Sequence, residues 1–212
     1  GNDLFDPHIW FDAKLWSCCP SAVAEALSKL DAKSAEQYRQ GATKYTAELL
    51  ELDRTIRQKF ETIPRQRRVL ITAHDAFRYF GRAYEIEVVG VQGTSTESEA
   101  GLADMNQLVD MIVTRRIPAV FVETSVSDRN VAALIEGASA RGHTVRLGGR
   151  LYSDALGPVG GGGIRLSVLY SRTLILSLEH CGYRVLLQIV LSNSFAFVHK
   201  CVGEGKHLHG WE

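Results

Sequence analysis

Val69-Leu70-Ile71-Thr72-Ala73-His74-Asp75 is a short apolar run that closes on two polar residues, just past Pro64, where the rhythm of the chain changes. From here on, short apolar runs alternate with stretches of helical periodicity, the pattern of repeated βαβ units and a parallel sheet. After the first run, Val69 to Thr72, others recur at Val88 to Val91, Ala119 to Val122 and Thr144 to Leu147. Helical patterns lie between them at Ala76 to Tyr84, Glu99 to Arg115 and Asp128 to Arg141. The spacing predicts an α/β lobe of four parallel strands and their crossovers.

Upstream of Pro64 the reading is helical. Trp16, Val23, Leu27 and Leu30 mark one face of a helix between Ala13 and Leu30, which Pro20 either starts or kinks. Tyr38, Ala42, Tyr45, Leu49, Leu52, Ile56 and Phe60 then repeat at alternating steps of four and three, with Lys, Arg and Glu in the gaps. That is one long amphipathic helix, ended before Pro64. Downstream, Gly160 to Gly163 break the pattern, and Ile164 to Glu212 show neither alternation nor a capped helical stripe. The expected organisation is therefore a remnant of an N-terminal lobe (1–31), a linking helix (32–63), a C-terminal α/β lobe (64–158) and an atypical tail (159–212). A long helix running into a complete lobe implies a further lobe upstream, so a truncated two-lobe protein is expected.

Composition narrows the function classes. Hydrophobic residues make up 45% of the 212, and 24 Lys plus Arg balance 24 Asp plus Glu. No net field draws the chain to nucleic acid or to an anionic membrane, so no nucleic-acid partner is expected. Cys18 adjoins Cys19 while Cys181 and Cys201 lie far away, which matches neither a disulfide framework nor a C-x-x-C zinc site. The most apolar stretch, Val185 to Val198, is interrupted by Gln188 and Ser192-Asn193-Ser194 and falls short of the roughly 20 residues of a membrane span. The chain opens on Gly1-Asn2-Asp3 without a signal sequence, so any export signal is expected to lie outside it. Nucleophile-elbow, P-loop and H-E-x-x-H patterns are absent from the sequence. The four-glycine run lacks the flanking strand and helix of a phosphate cradle, and His207-Leu208-His209 reads as a solvated pair on the tail.

Ligands of an open parallel sheet gather at the carboxyl ends of its strands. His74 follows the first strand and Asp154 the fourth, in Leu151-Tyr152-Ser153-Asp154, so the two can meet at one edge. His8, in Asp6-Pro7-His8-Ile9-Trp10, precedes the helices and has to be brought in from elsewhere. Imidazoles and a carboxylate together suit zinc and related first-row ions. Three side chains are one short of a four-ligand site, which a residue outside this chain or a water is expected to complete. Each residue also has a plainer reading: His74 as a hydrogen-bonded structural histidine, His8 as a turn residue under an aromatic lid, Asp154 as a helix cap. Glu123 and Asp75 are candidates for holding the ligands in place, and Glu123 reads equally as a solvated loop carboxylate.

The same residues sit in four ordered motifs. These are Asp6-Pro7-His8-Ile9-Trp10-Phe11-Asp12; Thr72-Ala73-His74-Asp75-Ala76-Phe77, continuing to Tyr79-Phe80 and Ala83-Tyr84; Phe121-Val122-Glu123-Thr124-Ser125; and Leu151-Tyr152-Ser153-Asp154-Ala155-Leu156-Gly157. In that order and spacing, from Asp3 to about Pro158, the chain resembles the zinc- and manganese-binding solute-binding proteins of ABC importers, the TroA-like family or cluster A-I. The resemblance implies two lobes joined by a rigid helix, with the ion buried between them. It also implies four ligands: a first-lobe His, the His of the D-P-H motif, a His or Glu after the first strand of the second lobe, and an Asp near its last strand. His8, His74 and Asp154 match three of these, and the first-lobe His has no counterpart. His rather than Glu at position 74 makes the site richer in nitrogen and puts zinc ahead of manganese. Further implications are capture without catalysis, an ABC permease as partner, a monomeric state, and a periplasmic or lipid-anchored location outside the cytoplasm. Two other readings stand beside this one: a metal-dependent α/β hydrolase using Glu123 as base, and a surface adhesin. The family's terminal helix finds no match after Gly160.

Overall fold

Helices α1 (Ala13–Trp16) and α2 (Cys19–Leu30) open the fold and are followed by the long α3 (Ala35–Glu61). Then β1 (Val69–His74), α4 (Arg78–Tyr84), β2 (Glu87–Gln92), α5 (Leu102–Thr114), β3 (Ala119–Glu123), α6 (Arg129–Ala140) and β4 (Arg146–Leu151) alternate in βα order. This computed structural model describes residues 6–93 and 101–154. The tail expected at 159–212, with its glycine run, its histidines and the apolar stretch at 185–198, lies outside the described residues, as does the expected start of α5 before Gly101. No helix among the described residues is long and apolar enough to cross a membrane.

Pro20 falls in the first turn of α2, where its missing N–H costs nothing, and the predicted helix from Ala13 to Leu30 divides just before it. In α3, the buried Ala42, Leu49, Leu52, Ile56 and Phe60 follow the predicted stripe. Glu36 in its first turn and Lys59 in its last complement the helix dipole. At 27 residues α3 is roughly 40 Å long. It lies along α2 and reaches α4 with its C-terminal half. There Arg57 acts as a rivet. It donates to both oxygens of the buried Asp53 (2.9 and 3.0 Å) and to the Ala83 carbonyl (2.7 Å), and its guanidinium lies 5.3 Å from the Tyr84 ring centre.

All four strands are parallel and hydrogen-bond as two ladders, β1 with β2 and β3 with β4, while β1 packs beside β3. Residue parity then sorts their side chains. Leu70, Ala119 and Phe121 belong to a core shared with Phe11, Leu52, Ile56, Phe60, Phe77 and Phe80, on the side of α3 and α4. Ile71, Ala73, Val120 and Val122 face the opposite core, with Val109, Ile112, Val131 and Leu134 of α5 and α6. The strands are thus sandwiched between two helical layers, the arrangement that near-continuous apolar strands require. By the same period of two, His74 and Glu123 fall on the α3/α4 side, at the carboxyl ends of their strands.

All four strands end later than the apolar runs indicate, β2 and β3 by one residue and β1 and β4 by more. β1 continues through Ala73 to His74, because His74 still pairs with Gln92 of β2. β4 lies at Arg146–Leu151, displaced from the expected Thr144 to Leu147. Its centre is Gly148-Gly149, which carries no strand signal, and ladder pairing with β3 sets the bounds, with a register shift between Val120 and Phe121. Glycine is needed at position 148, since a Cβ there would lie 2.5 Å from the Phe121 ring.

Candidate metal centre

Three segments deliver the predicted residues to one place. β1 ends on His74, the turn after β4 carries Asp154, and His8 arrives from the short helical turn at Ile9–Phe11. That turn is anchored by aromatic packing, with Phe11 4.3 Å from Phe77 centre to centre. Trp10 stands edge-on to His8 at 5.3 Å and donates from Nε1 to the Ser153 carbonyl at 3.2 Å, tying the N-terminal segment to the β4 turn.

His8 and His74 lie edge to face with ring centres 5.5 Å apart. His8 Nε2 is 3.2 Å from Asp154 Oδ1, and His74 Nε2 is 3.6 Å from Asp154 Oδ2, so each oxygen of one carboxylate faces one imidazole. One ligand atom from each of the three residues falls within 4.8 Å of the others. The histidines are buried, at 3% and 1% exposure, whereas the Asp154 side chain is 35% exposed and marks the open side. Ser153 donates to Asp154 Oδ2 at 3.3 Å and shares a hydrogen bond with Ser125 at 2.9 Å.

The electrostatics follow from this packing. The hydrogen bond from His8 holds the Asp154 carboxyl down to about 2 against the opposing effect of burial, with Ser125 and the nearby His74 helping. Burial pulls the His8 imidazole toward the neutral form, but hydrogen bonds to Asp154 and Asp6 together outweigh it, and the pKa rises above the ordinary 6.5. The cluster therefore favours positive charge between its carboxylates. That is the condition a divalent cation meets.

Of the supporting candidates, Glu123 is fully buried, with Oε1 accepting from the backbone N–H of His74 at 2.9 Å and Oε2 lying 2.7 Å from His74 Nδ1. Both oxygens are turned toward His74, Oε1 to its backbone and Oε2 to its ring. Asp75 turns to Arg78, with Oδ2 accepting from Nε at 2.5 Å, rather than to an imidazole. The backbone of Asp75 nevertheless matters to the site. A Cβ on Gly90 would lie 2.6 Å from the Asp75 nitrogen, so β2 approaches the turn after His74 as closely as only glycine allows.

Asp6 is the residue that sequence reasoning overlooked. Its Oδ1 accepts from the backbone N–H of His8 at 3.0 Å and lies 2.7 Å from His8 Nδ1. An Asp two residues before the N–H that it caps is an Asx turn, and Asp6-Pro7-His8 carries that local signal.

An α/β lobe with two imidazoles and a carboxylate gathered at its strand ends has the makings of a metal-binding solute-binding lobe. The sequence matches the family of the periplasmic zinc-uptake complex component A (ZnuA) over residues 1–173, beyond the Pro158 at which the resemblance was expected to fade. The chain belongs to this family.

The zinc-binding protein TroA of Treponema pallidum is 49% identical over 156 residues, which are 74% of this chain and 51% of that protein. The manganese-binding lipoprotein MntA of Bacillus subtilis is 46% identical over the same lengths. The solved structure of the Treponema pallidum periplasmic zinc-binding protein TroA superposes with a TM-score of 0.80 at 43% identity, covering 84% of this chain and 65% of that one. The chain spans about half the length of the curated relatives it matches.

Proposed function

We propose that this chain supplies the metal-gripping lobe of a solute-binding protein that works outside the cytoplasm and hands a first-row transition-metal ion to an ABC importer. His8, His74 and Asp154 are its ligands, and the ion is cargo, captured and released without chemistry. One observation carries the reading: side chains 146 and 80 residues from Asp154 in the sequence turn their Nε2 atoms onto its two oxygens. The named functions of the relatives, zinc binding and manganese binding, support the choice of cargo. The relatives described as lipoproteins or periplasmic proteins support the location. A membrane permease is the partner that such a carrier serves.

Two nitrogens against one carboxylate favour zinc over manganese, because imidazole suits zinc while manganese prefers oxygen. Metal analysis of the purified chain, with His74→Ala alongside, is the direct test. Wild type is expected to hold zinc and the variant to lose it; equal zinc in both would place the ligands elsewhere. In a competition titration the protein should take Zn²⁺ ahead of Mn²⁺, and a manganese preference would refute the selectivity.

A further inference from the structure

Both imidazoles of the cluster are wired alike, each turning Nε2 toward Asp154 and Nδ1 toward a second carboxylate at 2.7 Å, Asp6 for His8 and Glu123 for His74. They differ in how that carboxylate divides its work. Asp6 uses one oxygen twice: Oδ1 serves both the ring and the backbone N–H of His8, and the buried Oδ2 has no partner. Glu123 splits the two tasks, Oε1 taking the backbone N–H of His74 and Oε2 facing the ring.

We propose that Glu123 is a positioning residue that sets the tautomer of His74, keeping the proton on Nδ1 so that the Nε2 lone pair faces the cluster and is ready for a metal ion. This rests on the metal-holding reading above. A neutral imidazole carries one N–H, and the nitrogen that carries it cannot ligate. Nδ1 and Oε2 are both buried, neither has a hydrogen-bond partner, and they face each other at 2.7 Å. Two buried polar atoms left without partners at that distance are costly unless a small turn of the ring brings an Nδ1–H onto Oε2, which is the tautomer that Glu123 favours.

Replacing the carboxylate by an amide separates tautomer control from simple charge. In Glu123→Gln the buried backbone N–H of His74 demands an acceptor, which orients the amide oxygen toward it and the NH₂ toward Nδ1. A donor facing Nδ1 drives the ring proton to Nε2, the nitrogen needed for the metal. In Asp6→Asn the amide oxygen takes over both contacts of Oδ1, so His8 keeps its tautomer. Both substitutions remove one negative charge. Only the first inverts a ring.

The test is imidazole ¹H–¹⁵N correlation NMR on the metal-free full chain at about pH 8, where an ordinary imidazole is neutral, followed by Zn²⁺ titration against a competing chelator. Wild type is expected to show His74 protonated on Nδ1, Glu123→Gln on Nε2, and Asp6→Asn to leave His8 unchanged. Zinc affinity should fall about 10- to 100-fold in Glu123→Gln and less than about tenfold in Asp6→Asn. Nε2 protonation of His74 in wild type overturns the proposal even if the Gln variant does not fold. An unaltered tautomer in a folded Gln variant, or equal losses of affinity in the two variants, overturns it as well. Failure of wild type to bind zinc would instead sink the metal-holding reading, while the NMR result on the metal-free chain still tells whether Glu123 sets the ring.

Discussion

At the scale of single residues, the proposed ligand role sets protons and a metal ion in competition for the same buried imidazole. The folded pKa of His8 is raised above 6.5, so its contacts with Asp154 and Asp6 stabilise the metal-free fold fully below that value. The contribution fades as pH rises through the raised folded pKa. Asp154, lowered from 3.8 to about 2, contributes above 3.8, and its share is lost only as pH falls toward about 2. Metal binding has the opposite slope to His8, because the ion requires the unprotonated nitrogen. Between about pH 5 and about pH 8, the stability of the metal-free chain relative to His8→Gln should decline, while its zinc affinity should rise. Thermal unfolding and chelator competition on the same samples check both slopes, and zinc affinity that does not change with pH would contradict the assignment of His8 as a ligand.

At the scale of elements, the two helices on the far face of the strands stop in the same way but with different residues. After α6, Gly142 adopts φ 78°, with Gly142 N–H bonded to the Ser139 carbonyl at 2.9 Å and His143 N–H to that of Ala138 at 3.0 Å. After α5, Arg116 takes the same place at φ 50°, with Arg116 N–H bonded to the Val113 carbonyl at 3.2 Å and Ile117 N–H to that of Ile112 at 2.9 Å. Both are Schellman closures, and a left-handed backbone costs an L side chain about 1–2 kcal/mol that glycine avoids. Arg116→Gly should therefore raise stability by about 1 kcal/mol, read as a higher urea midpoint with unchanged slope; a lower midpoint would show that the Arg116 side chain contributes more than its backbone costs. The long helix with its stripe and the order of strands and helices were legible from periodicity, since burial on a helix or a parallel strand leaves a repeating trace. The face read through Trp16, Val23, Leu27 and Leu30 was not the buried one: Val23 and Leu30 are 53% and 85% exposed, and Pro20 and Ala24 of α2 are buried instead. β4 was misplaced because its pairing runs through Gly148-Gly149, where the ladder and the Phe121 ring set the conformation and no side chain records it.

At the scale of the whole molecule, the site joins the N-terminal segment to the carboxyl ends of β1 and β4, so an ion bound there ties together parts of the chain that are distant in sequence. Binding to the folded state alone stabilises it by mass action, by about 2.7 kcal/mol at a zinc concentration one hundred times the dissociation constant. Calorimetry with increasing zinc should show the unfolding temperature climbing continuously, and His74→Ala should abolish the climb. What the sequence determined by itself was the set of elements and the four motifs, together with the residue types that suit a first-row metal, because local periodicity and side-chain chemistry are written in each segment. What only the tertiary structure decided was which atoms meet: Nε2 of both histidines on the two oxygens of Asp154, Asp6 behind one ring, Glu123 behind the other, and Asp75 turned away to Arg78. Those contacts depend on strand parity, on the close approach at Gly90 and on the packing of Phe11 against Phe77, none of which is a property of any one segment.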